Sequence, residues 1–163
     1  MIDKTIYDKL TNYCAYQERC AEDVKQKLLK LKEDKNNFTE YIIRLQTENF
    51  LNEDRYAKYF VRWHEKKKWG KTKIKMAWLR KRSESALIKK YLDDMDEANY
   101  DEQIKAIVEK KWDTIKAKSP HDKKTKLLRL LLSKGYEMNK ALTAMKDLKF
   151  WKNFIYVIFF RFY

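Results

Sequence analysis

The chain has 163 residues, with 38 Lys and Arg against 24 Asp and Glu and a net charge of +14. Two glycines and one proline are too few for the turns of a β-sandwich or barrel, and for the glycine-rich loops of a Rossmann unit or P-loop. An apolar fraction of 44% argues against disorder, which leaves an all-α chain with Lys- and Glu-rich outer faces.

From the N-terminus, apolar spacing predicts helices over 5–16, 20–31 and 37–49. Met1-Ile2-Asp3-Lys4 leads directly into charged sequence without a signal-peptide pattern. No run approaches the roughly 18 apolar residues of a membrane span, so a cytoplasmic setting is expected. Cys14 and Cys20 are six apart, a spacing that fits no common metal site, and are expected to be buried small hydrophobes. Asn37 or Thr39 is placed to cap the third helix.

The next helices are predicted over 52–67, 71–82 and 84–93. Tyr56, Tyr59, Phe60 and Trp63 follow i, i+3, i+4, i+7 and are expected to face the core. Ile74 and Trp78 mark the buried side of 71–82. Gly70 is expected to end the preceding helix. The last three helices are predicted over 100–116, 121–134 and 137–146, with Asp101-Glu102 at the first N-terminus and Pro120 opening the second. Leu127, Leu128, Leu130, Leu131 and Leu132 surround most of 121–134, which predicts a central, well buried helix. Gly135 suits a left-handed position after it. Residues 150–163 hold eight aromatics, read as a continuation helix capping the third group, although Ile155–Phe160 is also β-prone.

Self-similarity near a period of 50 residues joins these helices into repeats. Val24-Lys25-Gln26-Lys27-Leu28-Leu29 aligns with Ile74-Lys75-Met76-Ala77-Trp78-Leu79. The expected organisation is three tandem three-helix repeats, 1–50, 51–95 and 96–149, forming an elongated curved array, followed by the tail 150–163.

Charge is unevenly spread: net 0 over 1–50, +8 over 51–95, +4 over 96–149 and +2 in the tail. Between 62 and 82 stand Arg62, Lys66, Lys67, Lys68, Lys71, Lys73, Lys75, Arg80, Lys81 and Arg82, against the single acid Glu65. Such a block predicts a polyanionic partner, a nucleic acid or an acidic protein groove. Lys71, Lys75 and Arg82 fall on one stripe of helix 71–82, with Lys73 and Arg80 on a second. Trp69 sits among these lysines, where it could stack on a base or fill a protein pocket. No catalytic constellation is visible. His64 and His121 lie in different repeats without partners, and no nucleophile, phosphate-loop or metal signature appears, so the chain reads as a non-enzyme without cofactor or metal.

The stretch Leu51-Asn52-Glu53-Asp54-Arg55-Tyr56-Ala57-Lys58-Tyr59-Phe60-Val61-Arg62 resembles the signature of the RecX family, bacterial regulators of the RecA recombinase. Trp69-Gly70-Lys71-Thr72-Lys73-Ile74, Ser83-Glu84-Ser85-Ala86-Leu87-Ile88 and Lys126–Tyr136 resemble later family motifs in order. Ala15–Leu28 resembles the first repeat, with Cys20 where serine is usual, which should weaken a helix cap. The resemblance implies a non-enzymatic protein that binds the groove of the RecA–DNA filament and inhibits ATP hydrolysis, strand exchange and co-protease action. A nucleic-acid-binding helical module acting on single- or double-stranded DNA without RecA is the alternative; a membrane-surface role rests on the aromatic tail alone.

Overall fold

The computed structural model of the chain describes residues 2–81 and 85–146; Arg82 and the tail 150–163 lie outside them. The described residues form nine α-helices and one 3-10 turn, and no strand. The helices are α1 (Lys4–Tyr16), α2 (Ala21–Lys30), α3 (Phe38–Thr47), α4 (Glu53–Lys66), α5 (Lys71–Leu79), α6 (Ser85–Asp93), α7 (Glu97–Thr114), α8 (Pro120–Ser133) and α9 (Met138–Lys146). Packing follows triplets: α1 on α2 and α2 on α3, α4 on α6, and α7, α8 and α9 on one another. The fold is all-α and built of tandem three-helix repeats.

Local chemistry sets the helix starts. Asp3 Oδ1 accepts from the Thr5 and Ile6 amides, and Asn52 Oδ1 from the Arg55 amide. Ser119 Oγ accepts from the Asp122 amide, with Pro120 at the first helical position as expected. α7 starts at Glu97, about a turn before the expected place, because Asp96 accepts from the Ala98 and Asn99 amides. Asp101 and Glu102 are therefore interior to the helix rather than at its N-terminus. Asn37 precedes α3 but closes a 3-10 turn, and its side chain donates to Glu33 instead of capping. Cys20 forms a capping box with Asp23, whose Oδ2 accepts from the Cys20 amide at 3.4 Å and from its Sγ at 3.3 Å.

The first core gathers Tyr7, Leu10, Cys14, Val24, Leu28, Phe38, Tyr41, Leu45 and Leu51. Cys14 and Cys20 are both buried, and burial pushes each thiol up to about 11. In the second repeat Trp78 is fully buried, stacked on Tyr56 at 5.5 Å and edge-on to Phe60 at 5.4 Å. The third group buries Tyr100, Ile104, Val108, Leu127, Leu131 and Tyr136. α8 is not buried all round as its leucines suggest. Leu127 and Leu131 are enclosed, Leu128 and Leu130 half-buried, and Leu132 exposed, so the helix lies on the surface of its triplet.

By contacts the chain divides into two units: 1–66 with 75–93, and 67–74 with the residues from 94 onward. The first unit ties α2 to α4 by polar contacts. Glu53 Oε1 accepts from the Ala21 amide at the start of α2, and Arg55 Nε donates to Glu18 Oε1 at 2.8 Å. Lys81 Nζ reaches Asp23 Oδ1 at 2.7 Å. Burial disfavours both charges, but the pair and the Cys20 donors hold Asp23 below the usual carboxylate range and Lys81 above the usual ammonium value.

In the second unit, the turn before α5 docks onto the turn after α8. The Gly70 amide donates to the Lys134 carbonyl at 2.8 Å, and the Thr72 amide to the Gly135 carbonyl at 3.1 Å. The Lys71 amide donates to Tyr100 Oη, and Tyr136 Oη to the Lys68 carbonyl. Gly135 takes φ of +86° as expected. Gly70 does not end α4 in the left-handed region; Lys68 does, at φ of +57°. Gly70 is needed instead for the approach of two backbones, since a Cβ there would sit 2.1 Å from the Gly135 oxygen.

Candidate polyanion-binding surface

The basic stretch begins on the second half of α4, whose core face carries Tyr56, Ala57, Phe60, Val61 and His64. His64 is buried, and its Nδ1 lies 2.8 Å from the Phe60 carbonyl, an acceptor only, so Nδ1 carries the proton. Trp63 is not core, contrary to its spacing: 41% of it is exposed. At about 100° per residue the buried meridian centres between Ala57 and His64, placing Trp63 roughly 90° away.

Around the helix from Trp63 come Tyr59, Lys66, Arg55, Arg62 and Lys58, and these six line a groove of about 380 Å³ with Glu18. Arg55 is fixed by Glu18, by Asn49 Oδ1 at 2.9 Å and by the Asn49 carbonyl at 3.0 Å. Lys58, Arg62 and Lys66 are exposed, and Arg62 and Lys66 make no ion pair among the described residues.

Beyond α4, Lys67 and Lys68 are exposed. Trp69 is half-buried, and Lys73 Nζ stands 4.4 Å from its ring centre. Lys75 and Arg80 are exposed. Two predicted cations are committed elsewhere. Lys71 pairs with Glu97 and stands 5.3 Å from the Tyr100 ring centre, while Lys81 pairs with Asp23. Lys71 and Lys140 together hold the Glu97 carboxyl below its usual range. Of the expected stripe of Lys71, Lys75 and Arg82, Lys75 is exposed and Lys71 is engaged by Glu97. Arg82 lies outside the described residues. The exposed cations are thus Arg62, Lys66, Lys67, Lys68, Lys75 and Arg80. Missed from the sequence were Arg55, Lys58, Tyr59 and Trp63, whose signal was the alternation of cations and aromatics within 55–66.

Among the described residues no cluster of His, Cys, Asp or Glu could hold a metal ion, and no helix is long and apolar enough to cross a membrane.

Comparison with known proteins matches residues 99–145 to the family model for the third three-helix domain of RecX. A regulatory protein RecX of Clostridium beijerinckii is 36% identical over 131 residues, covering 78% of this chain and 61% of that protein. Its counterpart from Clostridium perfringens is 32% identical over 95 residues, covering 57% of this chain and 44% of the relative. The chain therefore spans less than two thirds of the length of either relative. A crystal structure of regulatory protein RecX superposes with a TM-score of 0.80 at 17% identity, covering 88% of this chain and 72% of that one. RecX from Lactobacillus salivarius superposes with a TM-score of 0.76 at 24% identity, covering 90% and 96%. These structures share the fold. The domain match, the two sequence relatives and the common architecture thus agree in likening this chain to RecX proteins, with the third three-helix domain of that family matched over 99–145.

Proposed function

We propose that the chain regulates a RecA recombinase: it binds the RecA–DNA filament in the cytoplasm and restrains ATP hydrolysis, strand exchange and co-protease action. It does so without catalysis or a cofactor of its own, and so modulates recombination and DNA repair. Its repeats, 1–50, 51–95 and 96–149, supply successive contact units, with the second carrying the main one. The observation that supports this most is the series of exposed cations along the sequence from Arg62 to Arg80, where Glu65 is the single acid, in a chain similar to RecX proteins. Such a run attracts a polymer whose charge is negative and repeating. Arg62, Lys66, Lys75 and Arg80 in the first unit, Lys67 and Lys68 in the second, and Arg82 are the proposed contact residues, each unit taken by itself. Trp69, Lys71, Lys73 and Lys81 act by positioning the turn and helix that carry them.

The test is RecA ATPase on excess single-stranded DNA with this protein at substoichiometric ratio. The rate should fall. Changing Arg62, Lys66, Lys75 and Arg80 together to Gln should restore it while helicity stays unchanged. An unaffected ATPase, or inhibition that disappears on adding competitor DNA alone, would refute the proposal.

A further inference from the structure

Within the first unit, the first repeat meets the second through charges. The first repeat supplies acids and the second supplies cations: Glu18 holds Arg55 at 2.8 Å, and Asp23 holds Lys81 at 2.7 Å. A further bond closes the same joint, from the Ala21 amide to Glu53 Oε1 at 3.1 Å. Both cations come from the basic part of the chain. Arg55 lines the α4 groove with Arg62 and Lys66, and Lys81 follows Arg80 in the basic stretch. Their commitments lie at the surface. The Arg55 and Lys81 side chains are 40% and 36% exposed, so an incoming anion reaches each of them before the joint has opened.

A joint that stays shut is expected to satisfy its buried polar atoms. Glu18 Oε2, Arg19 Nε and Glu53 Oε2 are buried, yet have no hydrogen-bond partner among the described residues. Glu18 and Glu53 belong to the joint, and Arg19 adjoins Glu18 in sequence. Such groups cost stability while the joint is closed, and opening returns them to water. Asp23 is the least exposed member of the two ion pairs, at 16%. Without Lys81 it keeps only the Cys20 amide and thiol as donors, too little for a mostly buried carboxylate. Loss of the Lys81 contact therefore works against the closed joint.

A phosphate backbone competes for these cations on favourable terms. Glu18 and Asp23 each offer one carboxylate to a partly exposed partner, a type of contact worth little in water. A phosphate backbone offers a charge at every step and sheds condensed counterions when cations replace them, a gain that carboxylates on a folded domain do not have.

We infer that Glu18 and Asp23 are an internal stand-in for phosphate: they clasp the first repeat to the second through Arg55 and Lys81, and a bound phosphate backbone takes over both cations and frees the start of α2 from α4. This rests on the reading that the basic stretch contacts a polyanion. In the free chain Lys81 positions the end of α5; in the bound chain it joins the contact residues. By linkage the closed clasp weakens polyanion binding to the same degree, so the first repeat sets the affinity of the second.

The test uses the whole chain without recombinase, with dT20 as the phosphate probe, fluorescence anisotropy across a range of salt, and amide hydrogen exchange. Glu18→Gln with Asp23→Asn should tighten dT20 binding about tenfold, about threefold for each carboxylate that no longer competes. Asp8→Asn with Glu102→Gln changes the net charge equally at two exposed acids outside these pairs, and should tighten binding less than about twofold. Arg55→Gln with Lys81→Gln should lower the log–log salt slope by about 1.4, about 0.7 for each phosphate no longer neutralised. Cations that remained clasped would leave the slope unchanged. In the wild-type chain, saturating dT20 should speed exchange at the Ala21 amide and over 20–24, where simple binding would slow it or leave it alone. That measurement needs no substitution, so it decides the matter even where a variant fails to fold. Equal tightening by the two pairs of acid variants, an unchanged slope, or slowed or unchanged exchange at 20–24 would overturn the clasp. Polyglutamate that opens the joint as well as dT20 does would overturn the assignment to phosphate. These results leave the polyanion reading standing, whereas a wild-type chain and variants that all fail to bind dT20 would remove that reading and the clasp together.

Discussion

Gly70→Ser sets local preference against tertiary packing. Gly70 precedes α5, and its carbonyl accepts from the Ile74 amide, which makes it the N-cap. Serine is the better N-cap, so local rules alone would make the change stabilising by a few tenths of a kcal/mol. The structure demands the reverse. A Cβ at this position would stand 2.1 Å from the Gly135 oxygen and 2.3 Å from the Tyr136 amide nitrogen, well inside the 3.0 Å that real Cβ atoms respect. Both neighbours are backbone and cannot swing aside. Parting the two turns breaks the Gly70–Lys134 and Thr72–Gly135 hydrogen bonds. At about 0.5–1.5 kcal/mol each, plus the cost of polar groups left partly buried, the loss is about 2–4 kcal/mol. For a chain of this size a loss of that order lowers Tm by roughly 5–15 °C. Thermal and urea melts by circular dichroism provide the measurement, and amide exchange should show loosening at 67–74 and 134–136. A Gly70→Ser protein as stable as wild type would refute the close approach and leave N-cap preference in control.

Trp78→Ala removes a fully buried ring from between Tyr56 and Phe60 and should cost about 3–5 kcal/mol, seen as a lowered urea midpoint; an unchanged midpoint would mean that Trp78 is not core. Lys68→Gly should raise the melting temperature, because φ of +57° costs a side-chain-bearing residue on the order of 1 kcal/mol, and a lowered Tm would contradict that strain. The Asp23–Lys81 pair makes stability depend on pH. The carboxyl has a lower pKa folded than unfolded, so its stabilisation is present above the ordinary carboxylate pKa and is lost as pH falls through the depressed folded value. Acid melts of Asp23→Asn should therefore converge on those of wild type at low pH and separate from them towards neutrality.

Much of the helical plan was legible because the signals are local. Ser119-Pro120, Gly135 and the apolar spacing around Trp78 act within a few residues, and the structure honours each. The misreadings share a cause, which is competition from a partner distant in sequence. Gly70 looks like a helix terminator, but its backbone meets that of Gly135, 65 positions on. Trp63 sits at core spacing, yet the buried face of α4 runs through Ala57, Val61 and His64 and leaves it at the edge. Lys71 and Lys81 belong to a basic block by composition, but Glu97 and Asp23 reach them from other helices. A charge count cannot distinguish a committed cation from an exposed one, so the candidate surface was visible as a stretch and not as a set of residues.

Glu53 has a consequence for how such a chain can evolve. Its carboxylate belongs to the second repeat but closes the start of α2 in the first. The turn 67–74, within the second repeat, is grouped by its contacts with the third. Packing is therefore laid out like brickwork, with its joints offset from those of the sequence. Duplicating or deleting one sequence period would cut through a brick at each end, leaving an amide at Ala21 or a carbonyl at Gly135 without its mate. A change in repeat number would therefore have to restore both partners at once, at Ala21 and at Gly135, whereas a substitution at an exposed position disturbs neither.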